Sequence, residues 1–571
     1  MLPVSADFAA PSAAPASAPP LAQPLNIAIV GIGPTGIYLL HRLIAHPRPM
    51  FITLFEAASL AGVGSPYSPE TAQAAMLANI ASIEIPPLGE SYLDWLRREP
   101  PAFLRAYGVE PDSLNARQFL PRILLGGWFR SALGRLIAEG EARGHRIQLR
   151  EGCRVTDVVP LAEGQRVVFA NGPQAAAEAE QSLLFSHVVL ATGHVWPEEG
   201  TGPAGQGYFV SPWTGLIEAD VPACRVGILG SSLSAIDAAM AIACKHGRFH
   251  ETGSDLRFEP AAGSGGLHLT LMSRNGLLPE ADFWCPIPYR ANRYLTAAAL
   301  DRAVRAGGEG LLDRVWPLFV AELSQADPAY AEAIGLSRLG PDSFAEAYFA
   351  ARLAADPFDW AARNLAEAEE NAARRQTVEW RYAILRMHEP METIVAAFTE
   401  ADRARFEALR RVFTDNYAAV PPQSIRRLLA LHRAGVLSLL PLGEEYRIAD
   451  QSLPVQIDLP DGARHQFDVF VDARGQQRLG PADLPFAGLR AWLPQEAQDL
   501  PLTRDFALCN VGQGRIFLPA APYLLSRLPF VQGIVSSHDM AGRVAAALLA
   551  QDPGAEQDRA TEAPPAVAIV L

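Results

Sequence analysis

Short unbroken apolar runs separated by a turn and a helical repeat form the clearest pattern in the chain. LNIAIV (25–30) and FITLFE (51–56) flank the stretch IYLLHRLIA (37–45); RVGILG (225–230) and LHLTLMS (267–273) flank SSLSAIDAAMAIACKHG (231–247). Apolar runs of this length without polar alternation are expected of strands covered on both faces, and the stretches between them carry helical spacing. Each set therefore predicts a strand–turn–helix–strand unit. Further buried strands are expected at SHVVLATG (186–193), FDVFVDARG (467–475) and RIFLPA (515–520). The two units differ in detail, so the duplication is architectural rather than a sequence repeat.

Residues 296–440 break this pattern. Ala, Leu, Arg and Glu dominate, as in AARNLAEAEENAARRQTVEWRYAILRMHE, and strand signals are scarce. The expected fold is α/β, with two Rossmann-like dinucleotide-binding domains and a helical insertion. Residues 25–222, completed by 441–550, make the first domain, 223–295 the second, and 296–440 the insertion, which would serve as a substrate cap or a dimerisation element. Residues 1–24 and 551–571, rich in Ala and Pro, read as flexible tails.

Composition narrows the function. Hydrophobic residues make up 49% and charged residues 19%, the balance of a packed globular protein. Forty-eight basic against 62 acidic side chains leave a net charge of −14, which argues against nucleic acid as a partner. The five cysteines (153, 224, 244, 285 and 509) include no C-x-x-C pair, so neither a disulfide framework, a metal site nor a dithiol centre is expected. Reduced, mostly buried thiols fit a cytoplasmic setting. No apolar stretch approaches the roughly 18 residues of a membrane span, so no membrane association is expected.

Gly31-Ile32-Gly33-Pro34-Thr35-Gly36 has the form G-x-G-x-x-G between a strand and a helix. Gly31 permits the tight turn, Gly33 lets backbone approach a pyrophosphate, and Gly36 lets helix and strand pack closely. The helix N-terminus would offer N–H groups to the phosphates. Glu56 ends the next strand, where a carboxylate accepts from a ribose diol. GVGSPYSPE (62–70) and MLANI (76–80) then either run beneath a flavin ring, with the Asn79 amide on a ring heteroatom, or form an ordinary loop. Thr192 and Gly193 follow the return strand, where small residues would avoid the cofactor.

The second fingerprint is Gly230-Ser231-Ser232-Leu233-Ser234-Ala235. Ala in place of the third glycine fits the pattern; Ser232 in place of the second departs from it, because its Cβ crowds the pyrophosphate while its hydroxyl could donate to it. A degenerate unit that binds nothing is the alternative. Ser273 and Arg274 stand where an acid would select NAD; an arginine there suits the 2′-phosphate of NADPH, unless it is simply solvated. Asp472 and Arg474 are expected to pair with each other. His538, beside Asp539 at a helix start, is read as a cap or surface group before a catalytic one. Of the insertion's Arg374, Arg375, Arg386, Arg426 and Arg427, one could clamp a substrate carboxylate, but solvated charges are the first expectation.

VGIGPTGIYLLHRLI, GVGSPYSP, MLANI, HVVLATGH, VGILGSSLSAIDAA, SRNGLLP and VDARG together resemble the bacterial FAD-NAD(P)-binding family over residues 25–550, apart from much of the helical region. Relatives are similar to N-hydroxylating and Baeyer–Villiger flavin monooxygenases, including a branch of amino-acid N-hydroxylases such as the aspartate enzymes that make nitrosuccinate. The resemblance implies FAD in the first unit and NADPH in the second. It also implies a cycle in which NADPH reduces the flavin, dioxygen forms a hydroperoxyflavin, and a small amine or amino acid is oxygenated. No side-chain nucleophile is required, and no catalytic base is identified. A flavin reductase serving a partner, a non-catalytic FAD-binding sensor and a homo-oligomer stay open as alternatives.

Overall fold

A computed structural model describes residues 24–172, 180–195, 207–213, 215–253, 255–449, 453–494, 496–531 and 533–551. The two expected tails lie outside the described residues but for Pro24 and Gln551.

Two parallel five-stranded sheets organise the molecule. The first runs Ile516–Phe517, His187–Leu190, Asn26–Val30, Phe51–Phe55, Arg146–Arg150. Its neighbours pair parallel throughout, with Ile27 opposite both Ile52 and His187. Every residue of the central strand after Asn26 is buried, which explains the absence of polar alternation in NIAIV. The helix Pro34–Leu43 packs against both Gly533–Ala550 and Arg122–Ala142 beside this sheet. An antiparallel meander, Cys153–Pro160, Gln165–Asn171 and Gln181–Phe185, hangs from it.

The second sheet runs Leu437–Pro441, His268–Ser273, Arg225–Leu229, Val469–Asp472, Tyr208–Phe209, again all parallel. Three of these strands lie outside residues 223–295. The strand Leu437–Pro441 stands where the sequence suggested helix; LSLLP has good helix formers, but pairing with Leu269–Ser273 overrides that local preference. A hairpin of Gly247–Thr252 and Asp255–Pro260, not foreseen from the sequence, follows the second unit's helix Leu233–His246.

Residues 297–433 contain eight α-helices. Polar caps start several: Asp356 accepts from the N–H of Phe358 and Asp359, and Thr399 from Asp402 N–H. Helices Leu311–Ala326, Phe344–Leu353, Glu379–Val395 and Glu400–Tyr417 close a core around Phe319, Phe344, Phe406 and Phe413, each fully shielded from solvent. Burying a ring of this size is worth about 1.5–3 kcal/mol. Phe530, just before the C-terminal helix, inserts into the same core and ties the helical region to the first domain. By contrast, Pro357–Arg374 and Pro422–Arg433 pack their Phe358, Leu365 and Leu428 onto the second sheet's core.

Candidate active site

The two glycine turns are built alike. Gly31 has φ of +92°, and a Cβ there would collide with the carbonyl oxygen of Ala191, the residue after the return strand. Gly230 has φ of +139°, and its Cβ would stand 2.8 Å from the carbonyl oxygen of Ala473, just after Val469–Asp472. A side chain at Gly36 would stand 2.5 Å from Gly31 O, so the third glycine serves close packing. Gly33 differs from all of these. A Cβ there would meet no protein atom nearer than Gly64 Cα at 3.4 Å, so its open side faces a cavity.

That cavity, of about 260 Å³, is walled by Gly31, Gly33, Pro34, Thr35, Glu56, Thr192 and Gly193, with Gly64 and Met540 among others. No side chain caps the helix Pro34–Leu43, whose first turn reaches the cavity at Thr35. Glu56 accepts from Ile32 N–H at 3.0 Å and Ala58 N–H at 2.9 Å. Each carboxylate oxygen keeps acceptor capacity for a ribose hydroxyl. An uncapped helix N-terminus, a backbone free of Cβ atoms and an acceptor one strand away fit the diphosphate and ribose of FAD.

A second cavity, of about 680 Å³, shares the walls Ser65, Pro66, Tyr67, His194, Gly533 and Ile534 with the first. Asn79 lines it, as do Leu233, Ser234 and Asp237 from the second fingerprint's helix. The helical region contributes Leu385, His388, Glu389, Glu392 and Tyr417. The N-terminus of helix Gly533–Ala550 opens where the two cavities meet, with Gly533 and Ile534 lining both.

The remaining second-unit residues lie outside these two cavities. Ser231 donates its hydroxyl to Leu277 O at 2.7 Å and is thereby committed to the backbone. Ser232 is exposed and leaves the helix start uncapped, so its hydroxyl stays available. Ala235 is buried beneath the turn. The Ser273 hydroxyl is shielded and has no hydrogen-bond partner. Arg274 is 59% exposed and reaches Glu444 only at 3.8 Å, a contact of little strength, so its guanidinium is available to an anion.

Asp472 and Arg474 do pair, at 2.7 Å. His538 lines neither cavity; its ring nitrogens contact Asp539 at 3.1 Å and Arg42 at 2.7 Å, and the ring packs edge-on to Tyr38. The five insertion arginines also stay out of the larger cavity. Arg374 pairs with Glu370, Arg426 with Glu369, and Arg427 donates to Ala75 O. Arg386 ties down Ala291 O and Asn292, and Arg375 caps a helix in the left-handed region. Of the cysteines, all unpaired, Cys153 and Cys285 are buried and Cys244 is exposed. No helix among the described residues is long and apolar enough to cross a membrane.

Sequence reasoning missed the ion pair at the cavity wall. Arg122 begins the helix Arg122–Ala142 and meets Asp237, inside SLSAID, at 2.5 Å, with both side chains nearly buried. Burial pushes the Asp237 carboxyl up to about 6 while Arg122 pulls it back. The Trp213 ring lies 5.2 Å from the same guanidinium.

Residues 28–195 match the FAD-NAD(P)-binding family, and residues 296–417 match the YdhS-like middle domain. Over 529 residues the chain is 46% identical to the uncharacterized protein YdhS of Escherichia coli (strain K12), covering 92% of this chain and 97% of that one. The chain belongs to the YdhS family. Its fold is shared by the ornithine N-hydroxylase of Kutzneria sp. 744, at TM-score 0.50 and 14% identity over 93% of this chain and 100% of that one. The L-lysine 6-monooxygenase of Pseudomonas syringae superposes at TM-score 0.49 and 15% identity, over 92% of this chain and 99% of that one. In this YdhS-family protein the YdhS-like middle domain supplies one wall of the larger cavity, at Leu385, His388, Glu389 and Glu392.

Proposed function

We propose that this YdhS-family chain is an FAD- and NADPH-dependent monooxygenase that N-hydroxylates a small amine or amino acid. The observation that carries the reading is the 680 Å³ cavity, where the first nucleotide slot, the second fingerprint's helix and the helical region converge. The ornithine N-hydroxylase of the same fold has been solved with reduced FAD, NADP⁺ and L-ornithine, and that combination is brought here as part of the proposal.

FAD would be held by Gly31, Gly33, Pro34, Thr35, Gly36 and Glu56 at its phosphates and ribose, and by Asn79, Thr192 and Gly193 towards its ring. NADPH would be held along the turn Gly230, Ser231, Ser232, Ser234 and Ala235, with the Ser232 hydroxyl and the Arg274 guanidinium as its side-chain contacts; Ser231, whose hydroxyl is committed to Leu277 O, the buried Ala235 and the shielded Ser273 would shape the backbone there. Bound flavin supplies hydride acceptance and oxygen activation. The chain's own part is binding, orientation and exclusion of water. Phe530, 4% exposed, and the half-buried Tyr417 close the side of the larger cavity against the helical core.

A screen of NADPH oxidation over amines and amino acids, scoring hydroxylated product against peroxide, tests the reading. At least one amine should accelerate NADPH use and emerge hydroxylated. NADPH consumption without oxygenated product from any amine would instead identify a reductase.

A further inference from the structure

On the side of the helical region the larger cavity has an acidic, aromatic end. Glu389 and Glu392 lie one helical turn apart on Glu379–Val395, so both project from one face into the cavity. Pro390 sits inside this helix and leaves the Arg386 carbonyl without its usual N–H partner; Asn292 Nδ2 donates to it at 3.1 Å. Glu392 is fixed by Phe530 N–H, which donates to its carboxylate at 2.7 Å. Around the pair stand the rings of His388 and Tyr417, stacked with centroids 5.3 Å apart, and Phe530, 5.5 Å from Tyr417. Carboxylates framed by aromatic faces make a cation-binding environment. The one guanidinium among the cavity's described walls, Arg122, is already held by Asp237 at 2.5 Å. No free arginine there remains to receive a substrate carboxylate.

We propose that Glu389 and Glu392 form the ammonium subsite of this cavity, that Glu392 takes the proton from the bound ammonium group, and that the substrate is a cationic amine without a carboxylate. This rests on the monooxygenase reading above. An ammonium nitrogen has no lone pair to offer an oxygen donor. Transfer breaks one N–H bond, leaves its electron pair on nitrogen, and places the proton on a carboxylate oxygen of Glu392. Burial pushes the Glu392 carboxyl up to about 7, Glu389 pushes the same way, and the Phe530 N–H and Arg543 on the C-terminal helix oppose them. A carboxyl titrating near neutral pH is suited to accept and release a proton. Tyr417 and His388 face it as further titratable groups.

Calorimetry on the FAD-loaded protein with 1,5-diaminopentane, 6-aminohexanoate and hexanoate tests the subsite. Binding should weaken in that order, and Glu389→Gln and Glu392→Gln should each weaken diaminopentane about tenfold, the scale of one charge-assisted contact. Gln can still accept from Phe530 N–H, and retained flavin colour reports an intact fold. Product per NADPH should fall about 100-fold or more in Glu392→Gln at neutral pH and recover as pH approaches the amine's own value near ~10. Glu392→Asp should restore part of it. Equal binding of hexanoate, or undiminished binding in both glutamine variants, overturns the subsite. Full coupling in Glu392→Gln overturns the base. A wild type that binds diaminopentane selectively yet hydroxylates no amine sinks the monooxygenase reading and the base with it, while the subsite stands.

Discussion

Replacing Gly33 with alanine should separate the fold from its cofactor. Gly33 has φ of −87° and ψ of −166°, which alanine adopts without strain, and the new Cβ would find Gly64 Cα at 3.4 Å as its nearest neighbour. The protein without FAD should therefore keep its stability to within about 0.5 kcal/mol, the usual range for a substitution that disturbs nothing. The methyl would instead occupy the slot, pushing a diphosphate off the helix N-terminus. Losing one or two charge-assisted contacts there costs about 1.5–3 kcal/mol, or roughly 10- to 100-fold in affinity. Gly31→Ala makes the contrast. It adds about 1–2 kcal/mol of left-handed strain and a collision with Ala191 O. It also threatens the Gly31 N–H bond to Phe55 O, 2.9 Å. Thermal melting of the flavin-free forms and flavin-to-protein absorbance ratios report both effects. A Gly33→Ala protein that retains FAD as tightly as wild type refutes the placement of the diphosphate; one that melts well below wild type without FAD refutes the claim that this glycine serves the ligand alone.

Other expectations follow from the same geometry. Arg274→Ala should cut kcat/KM for NADPH about 10- to 100-fold and leave NADH nearly unchanged, because the guanidinium has no strong partner to lose. Arg122→Leu should cost about 3–5 kcal/mol by stranding Asp237, and Arg122→Leu with Asp237→Leu should recover much of it, as read from denaturant unfolding. His187, 3% exposed, has its pKa lowered by burial to about 4. The unfolded chain then binds a proton that the folded one refuses, so stability falls as pH drops from 6.5 towards 4, by roughly 3 kcal/mol in all; melting His187→Gln across that window should show a flatter acid limb.

The nucleotide turns were legible because each is written in a contiguous stretch. The G-x-G spacing lies within one strand, turn and helix, and Gly36 meets Gly31 O inside it, whereas the atoms that bar a side chain at Gly31 and Gly230 belong to Ala191 and Ala473, far along the chain. The larger cavity was not legible. Its walls come from Asn79, Asp237, Glu392, Tyr417 and Phe530, which only tertiary packing brings together. Glu389 and Glu392 stand in a helix-forming stretch with no motif to mark them, and Arg122 carries no periodic signal. The hairpin Gly247–Thr252 with Asp255–Pro260 escaped notice because its strands are largely exposed and lack a buried apolar run. Arg274 was placed by spacing alone, and its exposure is what leaves it open to a phosphate.

The first sheet takes its edge strand Ile516–Phe517 from far along the chain, pairing it with Val188 and Val189. A ribosome must therefore deliver the more than 300 residues (roughly 516 − 189) that separate these strands before that sheet can close, and the strand edge beside His187–Leu190 waits unpaired until then. Such long loop closure slows assembly and exposes nascent intermediates to self-association. Fragments ending before residue 516 should accumulate as aggregates, and slower translation or a holding chaperone should raise the yield of the whole chain.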